Sequence, residues 1–220
     1  KILFQEGIEK GRLKSIFAIA NEKKIICQEV PKRKLDNSTT ERHQGVIAYV
    51  APYSYYELDE VVNNLEINKD TTLLILDHIE DPHNLGAIIR TAEASGVKAI
   101  IIPKRRAAVV SQTAVKASAG AIEHMPVIRV SNLTDAIKKI KEKGFWIAGT
   151  TLAERSENYT KIAKDVPLAI VIGNEGEGMS KVVTNECDFL YHLPMLGKIQ
   201  SLNASVAAGI IMYERIKSND

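Results

Sequence analysis

The sequence has few cysteines, almost no net charge and no long apolar run. Cys27 and Cys187 lie far apart and lack the spacing of metal ligands, which argues against a disulfide scaffold and against a metal module. Free thiols of this kind are typical of an intracellular protein. The formal charge of +2 says little about partners. No stretch reaches the roughly 18 apolar residues that identify a membrane helix, so we expect no membrane association.

The sequence also lacks a recognisable signal peptide, and we expect a cytoplasmic protein. It begins at Lys1 rather than at a methionine, which is typical of a chain that has lost an N-terminal piece. Its 220 residues are 45% hydrophobic and 25% charged. This composition supplies enough apolar material for one large globular domain or two unequal ones.

The first part of the chain mixes basic and polar stretches with short apolar runs. "KKIICQEV" (23–30) follows an apolar stretch, and "GVIAYVAPY" (45–53) is rich in β-branched residues, which predicts a strand. We interpret residues 1–53 as a small α/β domain. A linker over 54–70, made of a short helix and a polar connection, would join it to a larger domain over 71–220.

In the larger domain, continuous apolar runs alternate with amphipathic stretches. Such runs are typical of strands that are buried on both faces of a parallel sheet. The alternation predicts an α/β fold with a parallel sheet and helices on both of its faces. The predicted strands are 72–77, 98–103, 125–130, 145–150, 167–173 and 188–194, and the predicted helices cover 84–95, 111–119, 131–144 and 203–217.

The first segment with unusual chemistry is "DPHNLGAIIRTAEASG" (81–96). Its apolar residues have the spacing of one helical face, and Gly96 stands where a helix would end. A polar turn that contains Asn84 precedes the helix, and Arg90 lies between two apolar pairs. A helix that only had to pack would not need this combination, so we expect both residues to face a functional site.

A glycine-rich stretch, "GNEGEGMS" (173–180), follows the predicted strand at 167–173. Its glycine spacing fits neither a dinucleotide-binding nor a phosphate-binding loop. Glu175 and Glu177 inside the turn would repel a phosphate and compete for its backbone donors. The loop suits a cationic or zwitterionic ligand, and its glycines would let a flat ring approach the backbone closely. The alternative is a tight turn without function.

The third segment is "LPMLGKIQSLNASVAAG" (193–209). Ser201 and Asn203 precede the last predicted helix, where a capping role alone would explain them. The small residues that follow leave a helix face able to approach another backbone closely or to line a pocket.

In this order, the three segments resemble the motifs of the SpoU (TrmH-like) family of RNA ribose 2′-O-methyltransferases, within the SPOUT class. The first motif is matched by "DPHNLGAIIRTAEASG", the second by "IGNEGEG" and the third by "LPMLGKIQSLNASVAAG", so that residues 72–217 are covered. "HQGVIA" (43–48) resembles the end of the family's small N-terminal substrate-binding domain. The chain is most similar to the RlmB branch, which modifies a guanosine of large-subunit rRNA.

The resemblance implies S-adenosylmethionine as the methyl donor, no metal, a trefoil knot in the C-terminal half and a homodimer. The loops at 173–178 and 193–202 would then form the cofactor pocket. Gly173, Leu193 and Leu202 would hold the adenine through backbone contacts, and Thr150, Ile172 and Met195 would lie beside them.

The resemblance also implies catalytic roles for five residues. Arg90 would serve the site of the partner subunit. Because a guanidinium stays protonated at neutral pH, we expect it to grip a phosphate and stabilise the developing alkoxide rather than remove the proton. Asn84 would orient Arg90 or the ribose, and Glu175 would hold the loop or pair with Arg90. Ser201 and Asn203 would donate or accept hydrogen bonds near the reacting centre.

Other functions remain open at this stage. The RNA substrate could be a tRNA instead of 23S rRNA. A catalytically silent RNA-binding or assembly protein could share the fold, although the intact site residues argue against it. The acidic glycine loop argues against a dinucleotide-dependent oxidoreductase.

Two compact basic clusters, "PKRK" (31–34) and "PKRR" (103–106), suit phosphate contacts. The alternative is that each is a solvated loop. In the first domain, "PKRK" is accompanied by further basic residues, and together they predict contacts along a structured RNA: Lys10, Arg12, Lys14, Lys23 and Lys24.

Overall fold

The computed structural model describes residues 1–40, 42–153 and 155–217, except for the side chains of Lys10 and Arg12. Two of the predicted phosphate contacts therefore lie outside the described side chains. The chain divides into two compact units, the first over Lys1–Pro52 and the second beginning at Tyr53.

The first unit is a three-stranded sheet with short helices. Its elements are β1 (Ile2–Gln5), α1 (Lys14–Glu22), β2 (Cys27–Val30), α2 (Lys32–Asp36) and β3 (Val46–Ala48). The central β1 pairs in parallel with β2 and antiparallel with β3. Leu3, Val30 and Leu35 form its small core, and Phe4 stacks on Phe17 with 4.2 Å between ring centroids. The basic residues from Lys32 to Lys34 are exposed.

The second unit is built on a larger sheet. The strands described there form seven parallel neighbours in the order β6-β5-β4-β9-β7-β10-β8. Its elements are α3 (Leu58–Asn63), β4 (Thr72–Leu76), α4 (Pro82–Ala94), β5 (Ile100–Pro103), α5 (Gln112–Ala117), β6 (Val127–Val130), α6 (Leu133–Glu142), β7 (Trp146–Thr150), β8 (Glu157–Asn158), β9 (Leu168–Ile172), α7 (Lys181–Asn185), β10 (Phe189–His192) and α8 (Ala204–Ile216).

Helices cover both faces of this sheet, as predicted. Along β4, Leu74 and Leu76 belong to an apolar cluster with α4, α5 and α8, whereas Leu73 and Ile75 belong to a second cluster with α3, α6 and α7. Successive residues of a strand point to opposite faces, so a continuous apolar run is needed when both faces are covered. The predicted α/β class is confirmed. The trefoil knot stays a prediction.

The predicted linker, residues 54–70, contains the short helix that was expected there. This helix is α3, whose Leu58 and Val62 are only 8% and 4% exposed and pack in the second apolar cluster. The Tyr56 amide also donates to the carbonyl of Val127 beside β6. A short amphipathic stretch among polar residues gives a weak signal, and its burial depends on the sheet beside it.

Helix ends follow the local signals. Asn132 is the N-cap of α6, and its side chain accepts from the amide of Thr134. Gly96 and Gly144 adopt positive φ angles of 76° and 93° after α4 and α6. The short elements α7 and β8 were not predicted. In the described ranges, no helix has both the length and the apolarity to span a membrane.

The sheet order creates the crevice in which the site lies. From β4 the chain moves outward through β5 to β6, then returns to place β7 on the other side, and β9 enters between β4 and β7. In parallel sheets, ligands bind outside the carboxyl ends of the strands where the order reverses in this way.

Candidate active site

A cavity of about 520 Å³ opens at the carboxyl ends of β7, β9 and β10. Its walls include the glycine loop (residues 173–178), which follows β9, and the β10–α8 loop (residues 193–203). This volume lies in the range of pockets that enclose small organic ligands. All the residues that the resemblance assigns to cofactor binding line this cavity: Thr150, Ile172, Gly173, Leu193, Met195 and Leu202.

The glycine loop is a tight hairpin closed by Asn174. The main chains of Asn174 and Gly178 donate to each other's carbonyl groups, at 3.0 and 2.9 Å. The Asn174 Oδ1 accepts from the amide of Gly176 at 2.8 Å, and its Nδ2 donates to the carbonyl of His78 at 3.0 Å. These bonds hold the loop and tie it to the segment after β4. Asn174 was not among the predicted site residues, although an asparagine in a glycine-rich turn is itself a turn signal.

Gly173 is required by the loop before any ligand is considered. A Cβ at this position would lie 2.3 Å from both the Gly178 carbonyl carbon and the Met179 amide nitrogen. Any side chain there would displace the loop backbone. The close neighbour of the Gly173 α-carbon is therefore the loop's own backbone, and the approach of a flat ring to this loop stays a prediction.

Asp77 is a second residue that was not predicted. It follows β4 directly and is 1% exposed. Its Oδ2 accepts from the amide of Ser180 at 2.7 Å, and its Oδ1 lies 2.8 Å from Nδ1 of His78. A buried carboxylate needs such partners. Asp77 therefore fixes the end of the glycine loop against β4, and its place directly after a buried strand was the available sequence signal.

A polar cluster joins the three motifs beside the cavity. Glu175 Oε1 accepts from Asn84 Nδ2, from Asn203 Nδ2 and from the amide of Ala204, each at 2.8 Å. Asn203 Nδ2 also donates to Asn84 Oδ1 at 2.8 Å. We call Asn84, Glu175 and Asn203 the polar triad. Its carboxylate lies at the N-terminus of α8, where the helix dipole favours negative charge.

Asn203 has two roles at this position. Its Oδ1 accepts from the amides of Ser205 at 3.0 Å and Val206 at 3.4 Å, which makes it the N-cap of α8. The capping role that the sequence suggested is therefore present together with the triad contact. Ser201 lines the cavity two residues earlier, and its side chain is exposed.

The backbone of the β10–α8 loop has no partner inside the protein. Within residues 1–40, 42–153 and 155–217, no backbone N–H or C=O of residues 193–202 has a hydrogen-bond partner. Backbone polar groups normally find partners in the protein, in water or in a ligand. These groups are therefore free to bond to water or to a ligand, and recognition of a base through backbone contacts stays a prediction.

Arg90 lies apart from these residues within one chain. It is on α4, six positions after Asn84, so the two side chains leave the helix about 120° apart. Arg90 is exposed and is not part of the cavity wall. Within the described ranges its side chain has no hydrogen-bond or ion-pair partner. The structure thus brings together Asn84, Glu175, Ser201 and Asn203, but not Arg90.

Burial changes the proton affinity of two groups near the cavity. It raises the pKa of Tyr191, whose hydroxyl accepts from the amide of Ala163 at 3.1 Å. It also raises the pKa of Cys187 to about 12. Neither side chain is disposed to lose a proton at neutral pH. Among the residues that the structure describes, no three His, Cys, Asp or Glu side chains gather as metal ligands would.

The outer face of α8 is apolar and exposed. Val206, Ile210 and Tyr213 follow the i, i+4, i+7 spacing and are 49%, 36% and 51% exposed. The opposite face contains Ala208 and Ile211, which pack in the first apolar cluster. Among the small residues of α8, Ala208 therefore packs in the core and Ala207 lines the cavity. A helix that is apolar on both sides normally has both sides covered.

Comparison with known proteins gives matches along both units. The sequence profile of the SpoU rRNA Methylase family matches residues 71–213, and that of RNA 2′-O ribose methyltransferase substrate binding matches residues 1–56. A curated protein of Staphylococcus saprophyticus that is named as a TrmH family tRNA/rRNA methyltransferase is 53% identical over 97% of this chain and 86% of its own length.

Solved structures match the fold. An AdoMet-bound rRNA methyltransferase from Sinorhizobium meliloti superposes with a TM-score of 0.79 at 26% identity, over 97% of this chain and 78% of its own. The SpoU methyltransferase AviRb from Streptomyces viridochromogenes gives a TM-score of 0.78 at 24% identity, over 98% of this chain and 80% of its own.

Proposed function

This chain belongs to the SpoU rRNA methylase family and is an S-adenosylmethionine-dependent RNA methyltransferase, and on this premise we propose that it methylates a ribose 2′-hydroxyl in structured RNA. The observation that carries the proposal is the polar triad beside the cavity, because three motifs separated along the chain meet there through Glu175 Oε1.

The cavity fits the cofactor by its chemistry. Apolar side chains of Ile172, Leu193 and Leu202 suit the faces of an adenine. The backbone of Leu193, Ser201 and Leu202, which has no partner among the described residues, suits its ring nitrogens. Glu175 and Glu177 suit a ligand with positive charge. S-adenosylmethionine supplies an electrophilic methyl group on a sulfonium when it is bound. These features support the cavity as its site, with contacts from Gly173, Thr150 and Met195 as well.

The residues beside the cavity would then manage the nucleophile. Methyl transfer needs a ribose oxygen held in line with the departing group and protected from water. Asn203 uses both amide hydrogens and its oxygen inside the protein, so it acts here by positioning Asn84 and the start of α8. Asn84 is held by Glu175 and Asn203, and its second amide hydrogen stays available in a fixed direction. With the exposed hydroxyl of Ser201, Asn84 would orient the ribose. A phosphate oxygen or a water would accept the proton.

Arg90 would act across a two-fold homodimer. It is exposed and outside the cavity of its own chain, so it is available to another chain. The apolar face of α8, with Val206, Ile210 and Tyr213, supports an interface on the same side of the sheet as α4. From the partner subunit, the guanidinium would grip a phosphate and stabilise the developing alkoxide.

We propose 23S rRNA, and a guanosine within it, as the substrate, with a tRNA as the alternative. The match of residues 1–56 to a substrate-binding profile supports RNA recognition by the first unit. Its exposed lysines and arginine at 32–34 suit phosphate contacts. A cytoplasmic location stays part of this proposal.

The proposal is tested by calorimetry and by mapping of modified RNA. S-adenosylhomocysteine should bind without added metal, whereas NAD should not bind. In RNA from cells that lack the protein, mapping of 2′-O-methyl groups should show one site in 23S rRNA that has lost its methyl group. Purified protein should restore methylation at that site. Binding of S-adenosylhomocysteine with no RNA methylated would indicate a silent RNA-binding protein. A restored site in tRNA would refute the rRNA substrate.

A further inference from the structure

A charged loop on the carboxyl edge of the sheet lies outside both the cavity and the polar triad. Lys104, Arg105 and Arg106 follow β5 directly, and all three side chains are exposed. In the part of the chain that the structure describes, none of the three side chains has a hydrogen-bond or ion-pair partner. We call residues 104–106 the basic loop. Three successive cations without carboxylate partners repel one another unless an anion binds them.

The basic loop is held in place by its surroundings. The Lys104 amide donates to the carbonyl of Val130 at 2.8 Å, and Arg129 Nη2 donates to the carbonyl of Lys104 at 3.1 Å. The Arg129 guanidinium lies 5.1 Å from the centroid of the Tyr55 ring, and the Tyr55 hydroxyl accepts from the amide of Val110 at 2.9 Å. Arg129 therefore positions the loop, and the three exposed cations are presented on an ordered backbone.

The backbone of Arg106 adopts a left-handed conformation, which residues other than glycine and asparagine rarely adopt. Its φ is 53°, in the left-handed region where glycine and asparagine are the least strained. Such a conformation costs of order 1 kcal/mol for a side chain like arginine. The turn at Arg106 therefore places an exposed arginine whose side chain, within the described residues, has no partner in the chain.

The position of the loop indicates what it would meet. The Ala108 amide donates to the carbonyl of Ile79 at 2.7 Å, and Ile79 precedes Asp81, the N-cap of the helix that carries Asn84. In the sheet, β5 is next to β4 and β4 is next to β9, so two strand spacings, about 10 Å, separate the loop's strand from that of the glycine loop. A strand of RNA with one nucleotide at the triad would pass the basic loop with a neighbouring phosphate.

We propose that the basic loop binds the phosphodiester backbone of the RNA beside the target nucleotide. The inference rests on the proposed function and adds to it a contact on the catalytic unit. Lysine and arginine neutralise phosphates without reading sequence. The loop would therefore hold the strand in register over the triad, whatever structure the rest of the RNA has.

The test replaces the three cations by shorter, neutral, polar side chains. The variant K104Q/R105Q/R106N keeps the backbone donors and acceptors, and asparagine suits the positive φ at position 106. Binding of a short fluorescein-labelled single-stranded RNA of mixed sequence is measured against salt, and methylation is measured on ribosomal RNA from cells that lack the protein. Each lost phosphate contact should reduce the slope of log affinity against log salt by about 0.7.

Loss of three contacts should therefore make the slope shallower by about 2. Between low salt and a fourfold higher concentration, wild-type affinity should fall about 16-fold more than that of the variant. The KM for RNA should rise at least about tenfold, while kcat and the affinity for S-adenosylhomocysteine should change less than about twofold. The variant R105K/R106K should retain most RNA affinity, because lysine also attracts phosphate.

The matched control is K98Q/K143Q, which removes two exposed lysines just before β5 and β7, at the amino edge of the same sheet. It should leave the salt slope and the KM for RNA unchanged. An unchanged slope in the basic-loop variant overturns the inference, even if the loop later proves to bind an acidic protein. An equal decrease of the salt slope in the basic-loop variant and in K98Q/K143Q would overturn the inference as well. If wild-type protein binds RNA but methylates none, the proposed function fails while the slope still decides this inference.

Discussion

Removal of Glu175 should show whether its carboxylate only holds the polar triad in place or whether the reaction requires its negative charge. Its Oε1 accepts from Asn84, from Asn203 and from the amide of Ala204, each at 2.8 Å. The substitution Glu175→Ala would leave three donors without their acceptor. A buried hydrogen bond to a charged group is worth about 1.5–3 kcal/mol. Because Glu175 is exposed and water can replace it, about 0.5–1 kcal/mol per bond is a better value here.

The summed loss is then about 2 kcal/mol, or about a 30-fold decrease in the fraction of molecules with an assembled site. We expect kcat/KM for RNA methylation to fall by about this factor. Glu175→Gln keeps an acceptor oxygen in nearly the same place, so it should lose about fivefold or less. The measurements are initial rates on unmethylated ribosomal RNA, calorimetry with S-adenosylhomocysteine, and thermal unfolding to show that both variants fold.

Glu177→Gln is the matched control, because Glu177 also lines the cavity but its carboxylate has no contact with the triad. It should affect cofactor affinity only. If Glu175→Gln were as impaired as Glu175→Ala, the negative charge itself would be required and the organising role would be wrong. If Glu175→Ala kept full activity, the triad would have no part in the reaction.

Three further predictions concern the dimer and the two units. Arg90→Ala should nearly abolish methylation but leave S-adenosylhomocysteine binding close to normal, and Arg90→Lys should also fail because lysine cannot grip phosphate with a planar fork; a lysine variant with most of the activity would refute this role. Ile210→Glu should convert a dimer to monomers in light scattering and reduce activity, because it places a charge on the exposed apolar face of α8; an active monomeric wild type would refute the interface. A chain that starts at Tyr53 should fold, bind cofactor and lose most methylation of natural RNA; if it methylates the same nucleotide at a similar rate, recognition lies in the second unit. A chain that starts at Asn68 lacks the buried side chains of α3, whose burial is worth about 3–6 kcal/mol, so it should melt at a lower temperature or fail to fold. Equal melting temperatures of the two chains would contradict the packing of α3.

The sequence by itself determined the local structure wherever local physics is decisive. Continuous apolar runs such as 72–77 predicted strands buried on both faces, and the glycine at position 96 predicted a helix end. The ordered motifs also predicted the family, and the residues that the resemblance assigned to cofactor binding line one cavity. These features depend on periodicity, on turn chemistry and on residue types in a set order, all of which are visible in the chain without its neighbours.

Only the tertiary structure decided how those residues act together. Glu175 and Asn84 are far apart in sequence, and their hydrogen bond exists because β9 enters the sheet beside β4. The reason for Gly173 is likewise a distance between two parts of the loop backbone, which no pattern records. The sequence predicted a short helix within residues 54–70, but the burial of Leu58 and Val62 depends on the sheet beside them and could not be predicted from their own stretch. Such contacts depend on which strands become neighbours, and that order follows from the packing of the whole unit rather than from any one segment.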